Sequence, residues 1–259
     1  MKRVLDDLFL QHMNRGNYVI AADIGFFPMA RKHPNFIDVG NNESCAGSVI
    51  EGILAQGKHV FLYDVCAYVM KNSYASLFAR NNVYHEGKGT LTVFGWGSGF
   101  SYDGCMLGHY PLDDCMLAKC LGLYRVIPST IKEMREVQYY HIDQYIRMYD
   151  VSKYYYKKKP YNPFSDLVFV TDGWMLGFIQ KLAQNGFWGE KTVSVVAMED
   201  YHFDCSHAIY LSDQCEEIRE LGNHFAEVRR PVNPNRRPDI AKNYVDMKSC
   251  VKEWFYFNI

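Results

Sequence analysis

The chain has 259 residues, of which 48% are hydrophobic and 22% are charged, and its formal net charge is -1. This composition is typical of a folded protein with one or two domains, and a nearly neutral chain has no general electrostatic attraction to nucleic acid or anionic membranes. The first residues, MKRVLDDLFLQHM, place two acids before a short amphipathic run, unlike a secretory signal, and no stretch is long and apolar enough to span a bilayer. We therefore expect a cytoplasmic protein that binds neither nucleic acid nor membrane.

The first 150 residues alternate between short apolar runs and segments with helical spacing. This alternation predicts an α/β fold with a mainly parallel sheet flanked by helices. The predicted helices are one that follows Glu43 and closes at Gly57, and two more over Lys71–Arg80 and Asp113–Gly122. The predicted strands are Tyr18–Ile24, Asn35–Gly40, His59–Val65, Thr90–Gly95 and Leu123–Ser129.

The composition changes in the segment SKYYYKKKPYNPFSD, where tyrosines, lysines and prolines interrupt the periodicity. We place an interdomain linker over residues 151–165, after a first domain over residues 1–150. The α/β pattern restarts at DLVFVTDG, continues with helical spacing over Trp174–Gln184, and reaches the strand TVSVVAM. A second, smaller α/β domain is therefore expected over residues 166–259.

Three features with possible chemistry are given ordinary structural interpretations. The eight cysteines lack the paired short spacings of zinc or redox motifs, so we expect them to be reduced and mostly buried. The cluster of histidine, aspartate and cysteine in YHFDCSHAIY fits no standard zinc spacing and is interpreted as a surface loop, so no metal ligands are predicted. The run Lys157–Lys159 is interpreted as solvated linker, although such a run beside tyrosines also occurs in nucleic-acid-binding segments.

Glu43 lies at the entrance of a predicted helix, directly after a predicted strand and the turn Gly40-Asn41-Asn42. Small residues follow it in ESCAG, at the start of that helix. Taken alone, a glutamate in a first helical turn complements the helix dipole and contributes ~0.3–1 kcal/mol. Its neighbours along the chain favour a chemical role as well.

Several segments occur in a specific order: AADIG, then FIDVGNNESCAGSVIEGILAQGKHVFLYDV, then GWGSGFSYDG with a following histidine, then LYRVIPST. In order and spacing they resemble the central, pyrimidine-binding domain of transketolases over roughly residues 17 to 150. Deoxyxylulose-phosphate synthases and the β subunits of 2-oxo-acid dehydrogenases share that domain. The resemblance implies a thiamin-diphosphate-binding fold followed by a shortened transketolase C-terminal domain.

The resemblance also implies roles at the cofactor. Glu43 matches the glutamate that hydrogen-bonds the aminopyrimidine ring and thereby promotes removal of a proton from the thiazolium carbon, a task that requires a poorly solvated pocket. Asp23 matches a strand-end aspartate of the same pocket, or it simply begins a turn before Gly25. The aromatic residue that stacks on the ring aligns with Ala67, so Tyr68 is predicted to stack after a one-residue shift, or it is a core aromatic.

On the substrate side, Asp103 matches an aspartate-glycine turn of the family. His109 follows two residues later than usual and is predicted to be a catalytic residue that reaches the substrate. Arg147, in QYIRMYD, matches an arginine of the strand that binds substrate phosphate. The second arginine of that strand is replaced by Asp150, which would repel phosphate, so a phosphorylated sugar of the usual kind is not implied.

Complete transketolases have a preceding domain that holds Mg²⁺ and the diphosphate, and we find no such domain in this sequence. The resemblance therefore implies a separate partner subunit that carries it, with two copies of each chain around a twofold axis. The implied reaction is transfer of a two-carbon ketol unit from a ketose to an aldehyde. A 2-oxo-acid decarboxylase or dehydrogenase β-type subunit and a non-catalytic scaffold subunit are the alternatives.

Overall fold

The computed structural model describes residues 2–22, 27–72, 74, 77, 89–98, 114–148, 162, 164–171, 173–197, 208–212 and 225–227. The chain divides into two compact units, and each is described by itself. The first unit comprises residues 1–98, 111–127 and 135–148, and the second comprises residues 99–110, 128–134 and 149–259. The predicted linker over residues 151–165 lies almost entirely outside the described residues and stays a prediction.

The first unit contains a six-stranded sheet in the order β2-β1-β3-β4-β6-β5, and all its recorded pairings are parallel. The predicted α/β class with a mainly parallel sheet is therefore confirmed. The four inner strands are almost fully buried, as expected for a sheet covered on both faces, whereas the two edge strands are partly exposed. The strands are β1 (Tyr18–Ala21), β2 (Phe36–Asp38), β3 (Val60–Val65), β4 (Leu91–Trp96), β5 (Tyr124–Val126) and β6 (Gln144–Met148).

Between Lys2 and Glu136 the described residues include a short 3-10 helix, Ala30–Lys32, and five α-helices: α1 (Lys2–Asn14), α2 (Glu43–Ala55), α3 (Cys66–Asn72), α4 (Asp114–Cys120) and α5 (Ile131–Glu136). Helix α3 begins directly after β3 and buries one face through Cys66, Val69 and Met70. It overlaps only the start of the predicted helix Lys71–Arg80, most of which lies outside the described residues. Helix α5 was not predicted. Its signal is the string TIKE, in which Thr130 Oγ1 accepts a hydrogen bond from the Glu133 amide at 3.1 Å, as in a capping box.

The two faces of the first sheet bury different kinds of side chain. One face packs aliphatic residues of β1, β3 and β4 against α2, α3 and α4, with Ile50 and Leu54 of α2 fully or almost fully buried. The other face carries an aromatic cluster in which Phe9 of α1 meets Phe27, Tyr63 and Phe94 at ring-centroid distances of 4.9, 5.7 and 5.3 Å. Such edge-to-face pairs favour one arrangement of α1 against the sheet.

His12 is a fully buried polar residue on the aromatic side. Its Nε2 lies 3.1 Å from the Tyr18 carbonyl and its Nδ1 lies 3.1 Å from the Tyr140 hydroxyl, so the neutral ring donates from Nε2 and accepts at Nδ1. The ring stacks on Phe61 at a centroid distance of 3.6 Å. Tyr140 has a backbone φ of 82°, an uncommon left-handed conformation for a bulky residue, which the contact with His12 helps to hold. Burial lowers the pKa of His12 from 6.5 to about 3.

We expect the natural chain to be more stable than the His12→Gln variant at neutral pH, and this difference in the free energy of unfolding to shrink as the pH falls. In the unfolded chain this histidine binds a proton below pH 6.5, whereas buried His12 does so only near pH 3. The contribution of His12 to the free energy of unfolding is therefore complete above pH 6.5 and is lost as the pH falls from 6.5 towards 3. Between pH 7.5 and pH 4.5 the natural chain should lose about 2–3 kcal/mol more than the variant. Urea unfolding at the two pH values measures this, with His141→Gln at an exposed position as the control. Equal losses in the variant and the natural chain would contradict the assignment.

The second unit contains a four-stranded sheet in the order β10-β9-β7-β8, again with parallel pairings. The predicted restart of the α/β pattern is confirmed, because a helix joins β7 to β8 as a βαβ unit. A cavity of about 450 Å³ in this unit is lined mainly by polar residues, among them Ser165, Gln180, Lys191 and Ser194. The elements are β7 (Leu167–Thr171), α6 (Gly173–Gln184), β8 (Val193–Ala197), β9 (Ala208–Ser212) and β10 (Phe225–Glu227).

Candidate functional site

The strand order of the first unit contains a chain reversal, and open parallel sheets have a crevice at such a reversal. The chain runs from β1 outwards to β2 and then crosses back to β3 on the other side of β1. In open parallel sheets, ligands bind outside the carboxyl ends of the strands at this kind of reversal. The carboxyl ends of β1 and β3 are therefore the expected position of a site.

Glu43 is the first residue of α2, the helix that connects β2 with β3. The side chain is half-buried, and its Oε2 accepts a hydrogen bond of 3.4 Å from the Asn72 side chain at the end of α3. The position in the first turn suits a negative charge because the helix dipole is positive there. The predicted role of Glu43 at a cofactor stays a prediction.

Asp64 is the buried carboxyl group of this region, and sequence reasoning missed it. It lies near the end of β3 and is 2% exposed. Its Oδ1 accepts a hydrogen bond of 2.6 Å from the Val65 amide, whereas Oδ2 has no hydrogen-bond partner among the described residues. Burial and, secondarily, the charge of Glu43 raise the pKa of Asp64 from 3.8 to about 8. The Asp64 carboxyl group therefore keeps its proton at neutral pH in the folded protein. Because the unfolded chain loses that proton at lower pH, Asp64 lowers the free energy of unfolding as the pH rises from 3.8 to about 8.

The signal for Asp64 was present in the sequence. A single acid in the apolar run HVFLYDV occupies a position that alternation assigns to the same face as the buried Val60 and Leu62. An acid in a fully buried strand is rare unless it is paired or functional. Alternation alone, however, does not tell whether a strand-end position is covered by a helix.

Arg147, predicted to bind substrate, lies on β6 with its side chain only 1% exposed. Its Nε donates to Asp114 Oδ2 at 2.9 Å, and the Tyr145 hydroxyl donates to the same oxygen at 2.6 Å. These contacts give Arg147 a structural role between β6 and α4, while a role in substrate binding stays a prediction.

Gly95 makes room for this buried network. It pairs with Asp64 on one side and with Arg147 on the other, so these three positions form one row across β3, β4 and β6. A Cβ atom at Gly95 would approach the Tyr145 hydroxyl oxygen and the Cys66 sulfur far inside van der Waals contact. The glycine is therefore required for the close approach of Tyr145.

The remaining predicted site residues fall into two groups. Tyr68 is half-buried in the first turn of α3, next to the buried Ala67, and its stacking role stays a prediction. Three predicted residues and one expected departure from the family pattern lie outside the described residues: Asp23, Asp103, His109 and Asp150.

Two further expectations concern metals and cysteines. No group of three or more His, Cys, Asp or Glu side chains is arranged to hold a metal ion within the described ranges. The expectation of mostly buried cysteines is correct for Cys66 and Cys115 but wrong for Cys45 and Cys120, which lie exposed on α2 and α4. Helical spacing places a residue on a face, but which face is covered depends on the packing partners. Within the same part of the chain, no helix has the length and apolarity needed to cross a membrane.

No model of a known protein family matches the sequence, and no curated protein matches it. Solved structures do match the fold. A structure described as a split-gene transketolase, inactive β4 tetramer, superposes with a TM-score of 0.62 at 16% identity, covering 97% of this chain and 95% of the other. A transketolase from Campylobacter jejuni superposes with a TM-score of 0.70 at 8% identity, covering 99% of this chain and 46% of the other.

The chain has a transketolase fold. The resemblance predicted from the order of the motifs is thereby confirmed for the fold, and it extends over nearly the whole chain. This transketolase-like chain spans about half of the Campylobacter chain but nearly all of the split-gene chain. At these identities the comparison supports the architecture, and the chemistry has to be argued from the residues.

We expect Arg147→Met to lower the free energy of unfolding by about 3–5 kcal/mol, because it leaves the buried Asp114 carboxylate without its cation. The matched control is Arg31→Met, which removes a surface ion pair of 3.0 Å with Asp38 and should cost less than about 1 kcal/mol. Urea unfolding of both variants makes the comparison. Unchanged stability of Arg147→Met together with weaker substrate binding would instead assign Arg147 to the substrate.

Proposed function

We propose that this chain is one subunit of a split transketolase-like enzyme that transfers a two-carbon ketol unit from a ketose to an aldehyde. The observation that carries the proposal is the position of Glu43 at the head of α2, in the same unit as the buried Asp64 carboxyl group. This acid pair lies in a fold shared with a split-gene transketolase. The crevice at the β1 and β3 ends is where such a fold receives a ligand.

The described residues fit the aminopyrimidine end of thiamin diphosphate. Glu43 is a half-buried carboxylate at a helix head, and the buried Asp64 carboxyl group adds to a polar environment that suits a ring bearing hydrogen-bond donors and acceptors. When bound, thiamin diphosphate supplies the carbanion chemistry that cleaves a ketose next to its carbonyl group. In the proposal Glu43 orients the ring and holds a proton at its nitrogen, Asp23 lines the same pocket, and Tyr68 stacks on the ring.

The substrate side of the proposal rests on the sequence resemblance. Asp103 and His109 contact the sugar or sugar-derived substrate, and His109 transfers protons to and from the oxygen atoms of the substrate. A role of Arg147 in substrate binding is proposed only because its position matches an arginine of the family's phosphate-binding strand. Asp150 on the same segment disfavours a phosphate group.

The diphosphate and Mg²⁺ are assigned to a separate partner subunit, in an assembly with two copies of each chain. One fold neighbour is described as a split-gene transketolase and as an inactive β4 tetramer, which supports the idea that a chain of this kind requires a partner for activity. Action on carbohydrate in the cytoplasm is part of the same proposal.

The first test is isothermal titration of thiamin diphosphate with Mg²⁺ into the chain alone and into its complex with the co-purified partner. Binding that occurs only in the complex, followed by turnover of ketose donors, is the expected result. A stable complex that binds no thiamin diphosphate would favour a non-catalytic scaffold.

We expect Glu43→Gln to lower turnover of the complex by at least about 100-fold, because an amide cannot hold and return the ring proton. The matched control is Glu51→Gln, which removes the same charge from the same helix two turns away. Steady-state kinetics of both complexes make the comparison. If Glu43→Gln turned over as fast as Glu51→Gln, the assigned role of Glu43 would be wrong.

A further inference from the structure

Asp64 has a buried carboxyl oxygen that lacks a hydrogen-bond partner among the described residues, and the proposed function assigns no partner to that oxygen. Its Oδ1 is held by the Val65 amide at 2.6 Å, so the position of the carboxyl group is set by the strand itself. Its Oδ2 is buried and has no partner among the described residues. A buried polar atom of this kind is costly, and where it persists in a folded protein it commonly marks a site of function.

The described groups around Asp64 leave Glu43 as the candidate acceptor. On β4 the residue paired with Asp64 is Gly95, which has no side chain, and the thiol of Cys66 lies at the start of α3. Arg147 is already paired with Asp114. Among the described residues, Glu43 from α2 is the charged group that acts on the Asp64 carboxyl group. Because burial raises the pKa of Asp64 to about 8, its carboxyl group carries a proton at neutral pH and has a donor to offer.

We propose that Asp64 is a positioning residue for Glu43, and that its Oδ2–H donates a hydrogen bond to the Glu43 carboxylate when a ligand ring closes the crevice. This bond gives the unpartnered oxygen its partner and limits the rotamers of Glu43. It also stabilises the negative charge of Glu43 where that charge faces a ring nitrogen. No covalent bond forms or breaks, and the proton stays shared between the two carboxyl groups. The identity of the ring rests on the proposed function, whereas the pairing of the two acids does not.

The pairing is tested without any cofactor by ¹³C NMR of the full chain labelled at aspartate carboxyl carbons. The Asp64 signal is assigned by its absence in Asp64→Asn. We expect it to titrate far above an ordinary aspartate and its midpoint to fall by about one pH unit in Glu43→Gln. Glu51→Gln should leave the midpoint in place. A midpoint that is the same in Glu43→Gln and Glu51→Gln would overturn the pairing.

The functional consequence is tested by the pH dependence of thiamin diphosphate affinity in the complex. Affinity of the natural complex should fall as Asp64 ionises at alkaline pH, because two adjacent carboxylates repel each other. Asp64→Asn keeps an N–H donor and should bind nearly as well at pH 7 without the alkaline fall, whereas Asp64→Leu should bind about tenfold more weakly throughout. An unchanged alkaline fall in Asp64→Asn would contradict the proposal.

The control is Asp6→Asn, at a buried carboxyl group that accepts hydrogen bonds from the amides of Met29 and Ala30 and should show the natural pH profile. The outcomes also separate the two proposals. Absence of thiamin diphosphate binding by the natural complex would count against the proposed function, while the NMR titration would still decide whether Asp64 and Glu43 interact.

Discussion

The parallel pairing of β3 with both β1 and β4 is the constraint on which the rest of the first unit depends. It places β3 next to β1 after the chain has gone outwards to β2, and so creates the crevice at the carboxyl ends. It also sets the register in which Asp64 faces Gly95. A slip of one residue would turn Asp64 towards the aromatic face and bring Tyr63 to the site.

The buried polar residues of this unit differ in whether their hydrogen-bonding groups all have partners. His12 is fully buried, yet both ring nitrogens have partners and the ring is stacked, so the surrounding structure accounts for it. Asp114 is equally buried and accepts from both Tyr145 and Arg147. Asp64 alone among these retains an oxygen without a partner in the described structure, next to the helix head that the family resemblance singles out. Departures from full pairing are expected at functional sites, where another molecule completes the pairing.

Transketolase folds match this chain at only 8% and 16% identity, which is consistent with a fold that many different sequences can form. A parallel sheet requires apolar strands and helices with one apolar stripe, and many sequences meet that requirement. The site is less tolerant, since Glu43 depends on its place at a helix head and the Tyr145 side chain needs the space left by Gly95 on the neighbouring strand. The architecture can therefore persist in chains whose chemistry differs, and only experiments on the named acids separate an enzyme from a scaffold.

The sequence by itself determined five of the six strands of the first sheet, the start of the second α/β unit, the parallel class and the position of Glu43 at the head of a helix. These features depend on residues within one or two turns of each other, so periodicity and turn residues reveal them. The strand order, the burial of Asp64 and the pairing of Arg147 with Asp114, 33 residues away, were decided only by the tertiary structure. Each depends on which distant segment covers a given face, and a local pattern carries no information about that partner.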